Sequence, residues 1–163
     1  MNNQLSEKCR EDLEQLLRTG VHCAIGLKEI LNDERTALEL QDTDALNETA
    51  VNKQLFLSRL EELEAERRKI CHTSGFSAEP EAMEELVQWC DTELLIHSYW
   101  DHFVGLAREC SDLNINNGAI INLRRQQITG ALSAIRGERQ DSETYSRNGR
   151  DTSTGVKRVL AEI

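Results

Sequence analysis

Residues 113–137 read LNINNGAIINLRRQQITGALSAIRG, and the fold of the chain turns on whether this stretch is one helix or two. Leu113, Ile120, Ile121, Ile128, Leu132 and Ile135 fall mostly at helical spacing. Asn114, Asn116, Asn117 and Gly118 interrupt the start of that pattern. Each Asn costs a helix about 0.5 kcal/mol relative to Ala and Gly about 1, so a helix carrying all four gives up roughly 2–3 kcal/mol. Asn-Gly is also a strong turn dipeptide. Two readings follow. The helix breaks at Asn117-Gly118, or it continues and the small polar groups work on its surface. In the second case Gly118 lets another backbone approach closely, and the Asn amides offer donors and acceptors to a partner. No strand alternation flanks the motif, and no Pro or Ser cluster follows it.

The rest of the composition sides with helix. Pro80 is the single proline, and Gly is scattered. Leu, Glu, Ala, Arg and Gln, good helix formers, dominate, while aromatics make up only 4% of residues. We therefore expect an all-α chain of lean Leu/Ile/Ala seams. It forms an elongated antiparallel helical bundle or coiled-coil hairpin, with a long third helix and a flexible C-terminal tail. The net charge of −10 argues against nucleic acid, which needs a basic stripe. Arg67-Arg68-Lys69 and Arg124-Arg125 read as solvated helix faces. The polar start MNNQLSEK is no secretory leader, and no apolar run is long enough for stable membrane insertion. Five cysteines without a C-x-x-C pair fit reduced thiols in the cytoplasm.

Along the chain, Cys9, Leu13, Leu16, Gly20, Cys23, Leu27 and Ile30 alternate steps of four and three, a coiled-coil-like seam within a helix over about 5–40. Leu17, Ala24, Leu31 and Leu38 widen it, while Gly20 packs nothing. Residues 41–44, QDTD, form a capping turn. A second helix carries Leu46, Ala50, Leu57, Leu60 and Leu63, with Phe56 adjacent, and runs back to about Ile70. Residues 72–79 read as a loop, and Pro80 opens a short helix ending near Cys90. Asp91 or Thr92 then caps a long helix over about 93–136, with Gly137 as its stop. The bundle thus occupies 1–137. The tail, 138–163, is too polar to order itself over 138–154. Val156, Val159, Leu160 and Ile163 recur at i, i+3, i+4 and i+7. They form a short amphipathic helix, suited to a partner's groove or to docking back on its own bundle.

Catalytic signatures are missing: the chain has no Gly-rich phosphate loop, no G-x-S-x-G and no H-E-x-x-H. The pairs His22-Cys23 and Cys71-His72 suggest a metal. A hairpin turning near Asp42, however, sets Cys71 opposite about residue 12, roughly 16 Å along the helix from Cys23. Cys9 and Cys71 come closer and could cross-link on oxidation, but two thiols are not a zinc site. Glu79, Glu81, Glu84, Glu85, Asp91 and Glu93 make an acidic patch best read as a solvated face. We expect no enzyme activity, no cofactor and no metal. The composition leaves open a generic coiled-coil adaptor or homodimeric scaffold.

Asn114-x-x-Asn117-Gly118-x-Ile120-Ile121, followed by Arg124-Arg125 and an apolar series ending at Arg136-Gly137, resembles the FlgN family of flagellar type III export chaperones. Tyr145 and Gly149 match that family's Tyr-x-x-x-Gly tail element, and the order of hairpin, loop, long helix and polar tail matches along the whole chain. Ile120 stands where the family often has Leu, and Ser146 and Asn148 depart from its usual tail. The resemblance implies a cytoplasmic escort for the hook–filament junction proteins FlgK and FlgL. Such an escort binds their helical C-terminal segments and docks at the flagellar export apparatus. The residues it points to are Asn114, Asn117, Gly118, Ile121, Arg125, Ile128, Tyr145 and Gly149, joined by the terminal Val156, Val159, Leu160 and Ile163.

Overall fold

The computed structural model describes residues 2–79, 82–91 and 94–136. These form four helices: α1 (Asn2–Leu40), α2 (Thr43–Ser74), α3 (Ala82–Cys90) and α4 (Leu95–Ile135). Two compact units divide the chain, Met1–Arg125 and Gln126–Ile163. All packing described below belongs to the first.

α1 ends where Gln41 takes a left-handed φ of 59°. The backbone N–H of Gln41 and of Asp42 donate to the carbonyls of Leu38 and Ala37, which satisfies two of the carbonyls that the end of α1 leaves without helical partners. The Asp42 carboxylate then accepts the Ala45 N–H at 3.0 Å and caps α2. So short a reversal makes α1 and α2 an antiparallel pair, as the sequence predicts. Across it, Lys53 donates to Glu34 at 3.0 and 3.2 Å, and the Cys23 thiol meets the Phe56 carbonyl at 3.6 Å. The expected α2 stripe packs inward at Phe56, Leu57, Leu60 and Leu63, with one exception nearer its start. Ala50 is exposed and Thr49 is buried in its place.

α2 also outlasts its predicted end: residues 72–74 remain helical. Gly75 is the first residue able to take the left-handed turn cheaply. At φ 82° it terminates the helix through bonds to His72 and Cys71 carbonyls. The following connection is tied down by Arg67, whose guanidinium is almost fully buried. It forks onto Glu64 at 2.7 and 2.9 Å and donates to the Ala78 carbonyl at 2.6 Å. After α3, Asp91 is the residue that caps α4: its carboxylate accepts the N–H groups of Leu95 at 3.2 Å and His97 at 2.9 Å.

α4 runs beside α1 in the same direction. Cys110 reaches the Ala24 carbonyl and Asn117 the Leu31 carbonyl, both at an offset of 86 residues. A constant offset along two helices requires parallel axes. The broadest core lies where α3 folds in. Cys9, Leu13 and Leu17 of α1 meet Cys71, then Met83, Leu86, Val87 and Cys90 of α3, and Ile96 of α4. Farther along α1, Val21 and Ala24 pack with Leu106, and Leu27 and Leu31 with Cys110. Gly20, expected to pack nothing, is in fact buried against Phe103, whose ring stands 3.2 Å from where a Cβ would be. Gly26 is tighter, with the Phe56 ring 2.5 Å from that position. Both glycines are seats for aromatic rings that the heptad pattern hides.

Candidate functional site: the Asn-Gly helix and its exposed apolar face

The helix is continuous through Asn114, Asn116, Asn117 and Gly118, so it does not break at the Asn-Gly dipeptide. Part of its propensity cost is repaid internally. Asn117 is 1% exposed and does not present its amide to a partner as expected. Its Nδ2 donates at 2.8 Å to the Leu31 carbonyl and at 2.8 Å to Glu34 Oε2. Both neighbours are acceptors, which fixes the amide's orientation. Glu34, only 7% exposed, also receives Lys53. One polar chain therefore runs from α2 through α1 to α4. Asn117 was legible as unusual, but Glu34 and Lys53 were not singled out, because on a long charged helix nothing in the periodicity separates them from surface ions.

The other expected residues of the first unit are placed differently. Gly118 has nothing within 4 Å of its Cβ position, so among the described residues no backbone approaches it closely. Asn114 and Arg125 are exposed, and Ile121 is 45% exposed. Asn114 stands at the edge of a cleft of about 240 Å³. Ala24, Leu27 and Leu31 of α1 line it, with Leu57 and Leu60 of α2 and Ala107 of α4. The cleft is apolar and open, and the sequence reading missed it, since it forms only where three helices meet. Ile115 and Leu123 are exposed as well.

In the second unit, Ile128, Leu132 and Ile135 stand at i, i+4 and i+7 of α4 and are all exposed, Ile135 to 81%. That spacing lines them along one side of a helix. Three large aliphatic side chains in register and in water are uncommon on a chain that works alone. Tyr145, Gly149, Val156, Val159, Leu160 and Ile163 lie outside the described residues.

Among the described residues, no group of three His, Cys, Asp or Glu side chains is arranged to hold a metal ion, and no helix is long and apolar enough to cross a membrane. What the surface offers is apolar helix face and cleft, the chemistry of binding another helix.

No curated protein and no solved structure matches this chain. The FlgN protein family matches residues 9–153, nearly the whole length. The match spans α2, α3 and α4, all but the first turns of α1, and the tail through Tyr145 and Gly149. The chain therefore belongs to the FlgN family, whose general role is that of a flagellar export chaperone.

Proposed function

We propose that this protein binds the C-terminal helical segments of the hook–filament junction proteins FlgK and FlgL in the cytoplasm. There it keeps them from aggregating or assembling early, and it delivers them to the flagellar type III export gate. The observation that carries this reading is the exposed register of Ile128, Leu132 and Ile135 on α4. An amphipathic client helix has an apolar face to cover, and this one matches it in kind and period.

Magnitudes say what else is needed. Covering each of the three side chains is worth about 1–2 kcal/mol. Their sum, about 3–6 kcal/mol, falls short of the roughly 8 kcal/mol of a micromolar complex, before any ordering cost. The remaining affinity comes from the Leu57–Leu60 cleft and from the apolar side chains of Val156, Val159, Leu160 and Ile163.

The test is a titration of a fluorescent C-terminal peptide of a junction protein with the full chain. It is repeated with the triple variant Ile128→Ser, Leu132→Ser, Ile135→Ser. The wild-type chain is expected to saturate, and the variant, unchanged in circular dichroism, to bind at least tenfold more weakly. Absence of binding to the wild-type chain overturns the proposal. Equal binding by the variant moves the site off this face.

A further inference from the structure

α4 covers one side of the α1–α2 pair, where Leu57 and Leu60 meet it across the apolar cleft. The other side carries two further clefts, lined among the described residues only by α1, α2 and the turn between them. One, about 540 Å³, lies at the open end of the hairpin, and the other, about 320 Å³, lies at the turn. Both open on a single seam. On α1 it passes through Leu5, Asp12 and Thr19 of the first cleft and Asp33 and Leu40 of the second. On α2 it passes through Arg59 and Glu66 of the first and Ala45 and Asn52 of the second. Each row advances in multiples of seven residues, which keeps it on one face of packed helices. Lys53 and Leu60, which line the cleft beside α4, each stand one residue past a member of the α2 row, about 100° round the helix. The seam is therefore a second face of the hairpin, turned from α4.

Charge and size select what covers this face. The open end carries Lys8, Arg59 and Lys69 with Asp12 and Glu66, and Arg59 is already held by Glu62 at 2.6 Å. The turn end carries Asp33, Asp42 and Glu48 and, among the described residues lining it, no Lys or Arg. Cations are thus available at one end and only acids at the other. From Leu5 to Leu40 the face runs about 50 Å, and two helices make it roughly 20 Å wide. That is on the order of 1,000 Å², above the roughly 800 Å² per partner of a stable complex. A lone foreign helix covers about half that width. A copy of the same hairpin covers all of it and supplies both charged ends. We infer that this face pairs with a second copy of the chain, antiparallel, about a two-fold axis that lies in the interface and crosses the helices. Such an axis sets α1 on α1 and α2 on α2. Gly26 stands level with Phe56. The midpoint of Lys8 and Asp33 on α1 and that of Glu48 and Lys69 on α2 therefore fall within about one helical turn of each other. One axis brings Lys8 to Asp33 and Lys69 to Glu48 of the second copy, each pair twice. Leu55, seven residues past Glu48 and 66% exposed, lies near that axis. The pairing leaves the Leu57–Leu60 cleft open and does not rest on the client reading.

The full chain is sedimented to equilibrium at about 1 to 200 μM. Its mass is expected to rise toward twice that of the monomer, and to fall back in about 0.5 M salt, where exposed ion pairs are screened. Leu55→Glu, with circular dichroism unchanged, is expected to raise the dimer dissociation constant by about tenfold or more. Lys69→Glu and Glu48→Lys are each expected to raise it. The two together in one chain are expected to restore it, because each reversed charge then meets the other across the axis. A monomer throughout the range overturns the inference. So does a dimer indifferent to Leu55→Glu, or a pair of reversals that does not rescue the single ones. A monomer whose binding of the junction-protein peptide is lost in Leu55→Glu gives the face to the client and overturns the inference as well. The client site on α4 is judged separately by the Ile128→Ser, Leu132→Ser, Ile135→Ser variant, which is expected to keep the dimer.

Discussion

Replacing Asn117 by Asp changes one NH₂ to an oxygen and leaves the shape intact, which makes it the sharpest probe of the inter-helix polar chain. In the native protein Nδ2 donates to the Leu31 carbonyl and to Glu34, each at 2.8 Å. An aspartate there faces two acceptors with no proton to give and sets a second carboxylate against Glu34 inside the bundle. Lys53, at 3.0 Å from Glu34, can neutralise only one of them. An uncompensated buried charge costs about 3–5 kcal/mol, a large share of a domain's usual 5–15. Asn117→Ala is milder. It loses a neutral bond of about 1 kcal/mol and a charge-assisted one of about 1.5–3. It also removes Oδ1, which is buried without a protein partner and itself costs about 1–3 kcal/mol. We expect a net loss of about 1–2 kcal/mol for Ala and about 3–5 for Asp at pH 7. The Asp deficit shrinks as the pH falls toward 5, because two adjacent carboxyls take up a shared proton above their usual range. Urea unfolding followed by far-ultraviolet circular dichroism at both pH values measures this. An Asp variant within about 0.5 kcal/mol of wild type, or one insensitive to pH, would refute the claim that Asn117 fastens α4 to α1.

Other consequences can be checked by the same unfolding assay. Gly26→Ala drives a methyl into the Phe56 ring, 2.5 Å from the added carbon, and should cost about 1–3 kcal/mol by overpacking, with Phe56→Leu restoring much of it. Gln41→Gly relieves a left-handed φ of 59° and should stabilise by about 0.5–1 kcal/mol; a loss instead would mean that the Gln41 side chain is needed at the turn. Arg67 and Arg68 hold the Glu64 carboxyl down from 4.5 to about 2. Its folded value is depressed, so its stabilisation is present above about pH 4.5 and is lost as the pH falls through about 2. Because Glu64 is 41% exposed, solvent screening limits the effect to about 1 kcal/mol or less; Glu64→Gln should flatten that part of the acid profile. Truncation after Arg136 should leave the thermal unfolding of the bundle unchanged and weaken client-peptide binding in the fluorescence titration. Unchanged affinity would remove the tail from the mechanism.

Much of α1 was legible because a long helix buries a stripe whose period is set by local geometry. Cys9, Leu13, Leu17, Leu27 and Leu31 are core by the same spacing that marks them in the sequence. Boundaries were less so. The end of α2 moved to Gly75 because a helix extends until a residue takes the left-handed turn, and the polar residues His72, Thr73 and Ser74 continue it at small cost. At the Asn-Gly motif the sequence marked an anomaly and left its sense open. A continuous helix and a broken one differ by a few kcal/mol of local preference, which one buried, bonded side chain can reverse.

The sequence by itself determined the all-helical class, the hairpin and the family. Each rests on information local to the chain: propensity, apolar period, turn residues and a motif read in order. Tertiary structure alone decided that Asn117 faces inward and that Gly20 and Gly26 are seats for Phe103 and Phe56. It also decided that α2 and α4 leave an apolar cleft over α1. Each of these depends on how one helix is rotated and slid against another. That choice is made by ring volumes and buried partners on distant segments, which no period within a single helix can report.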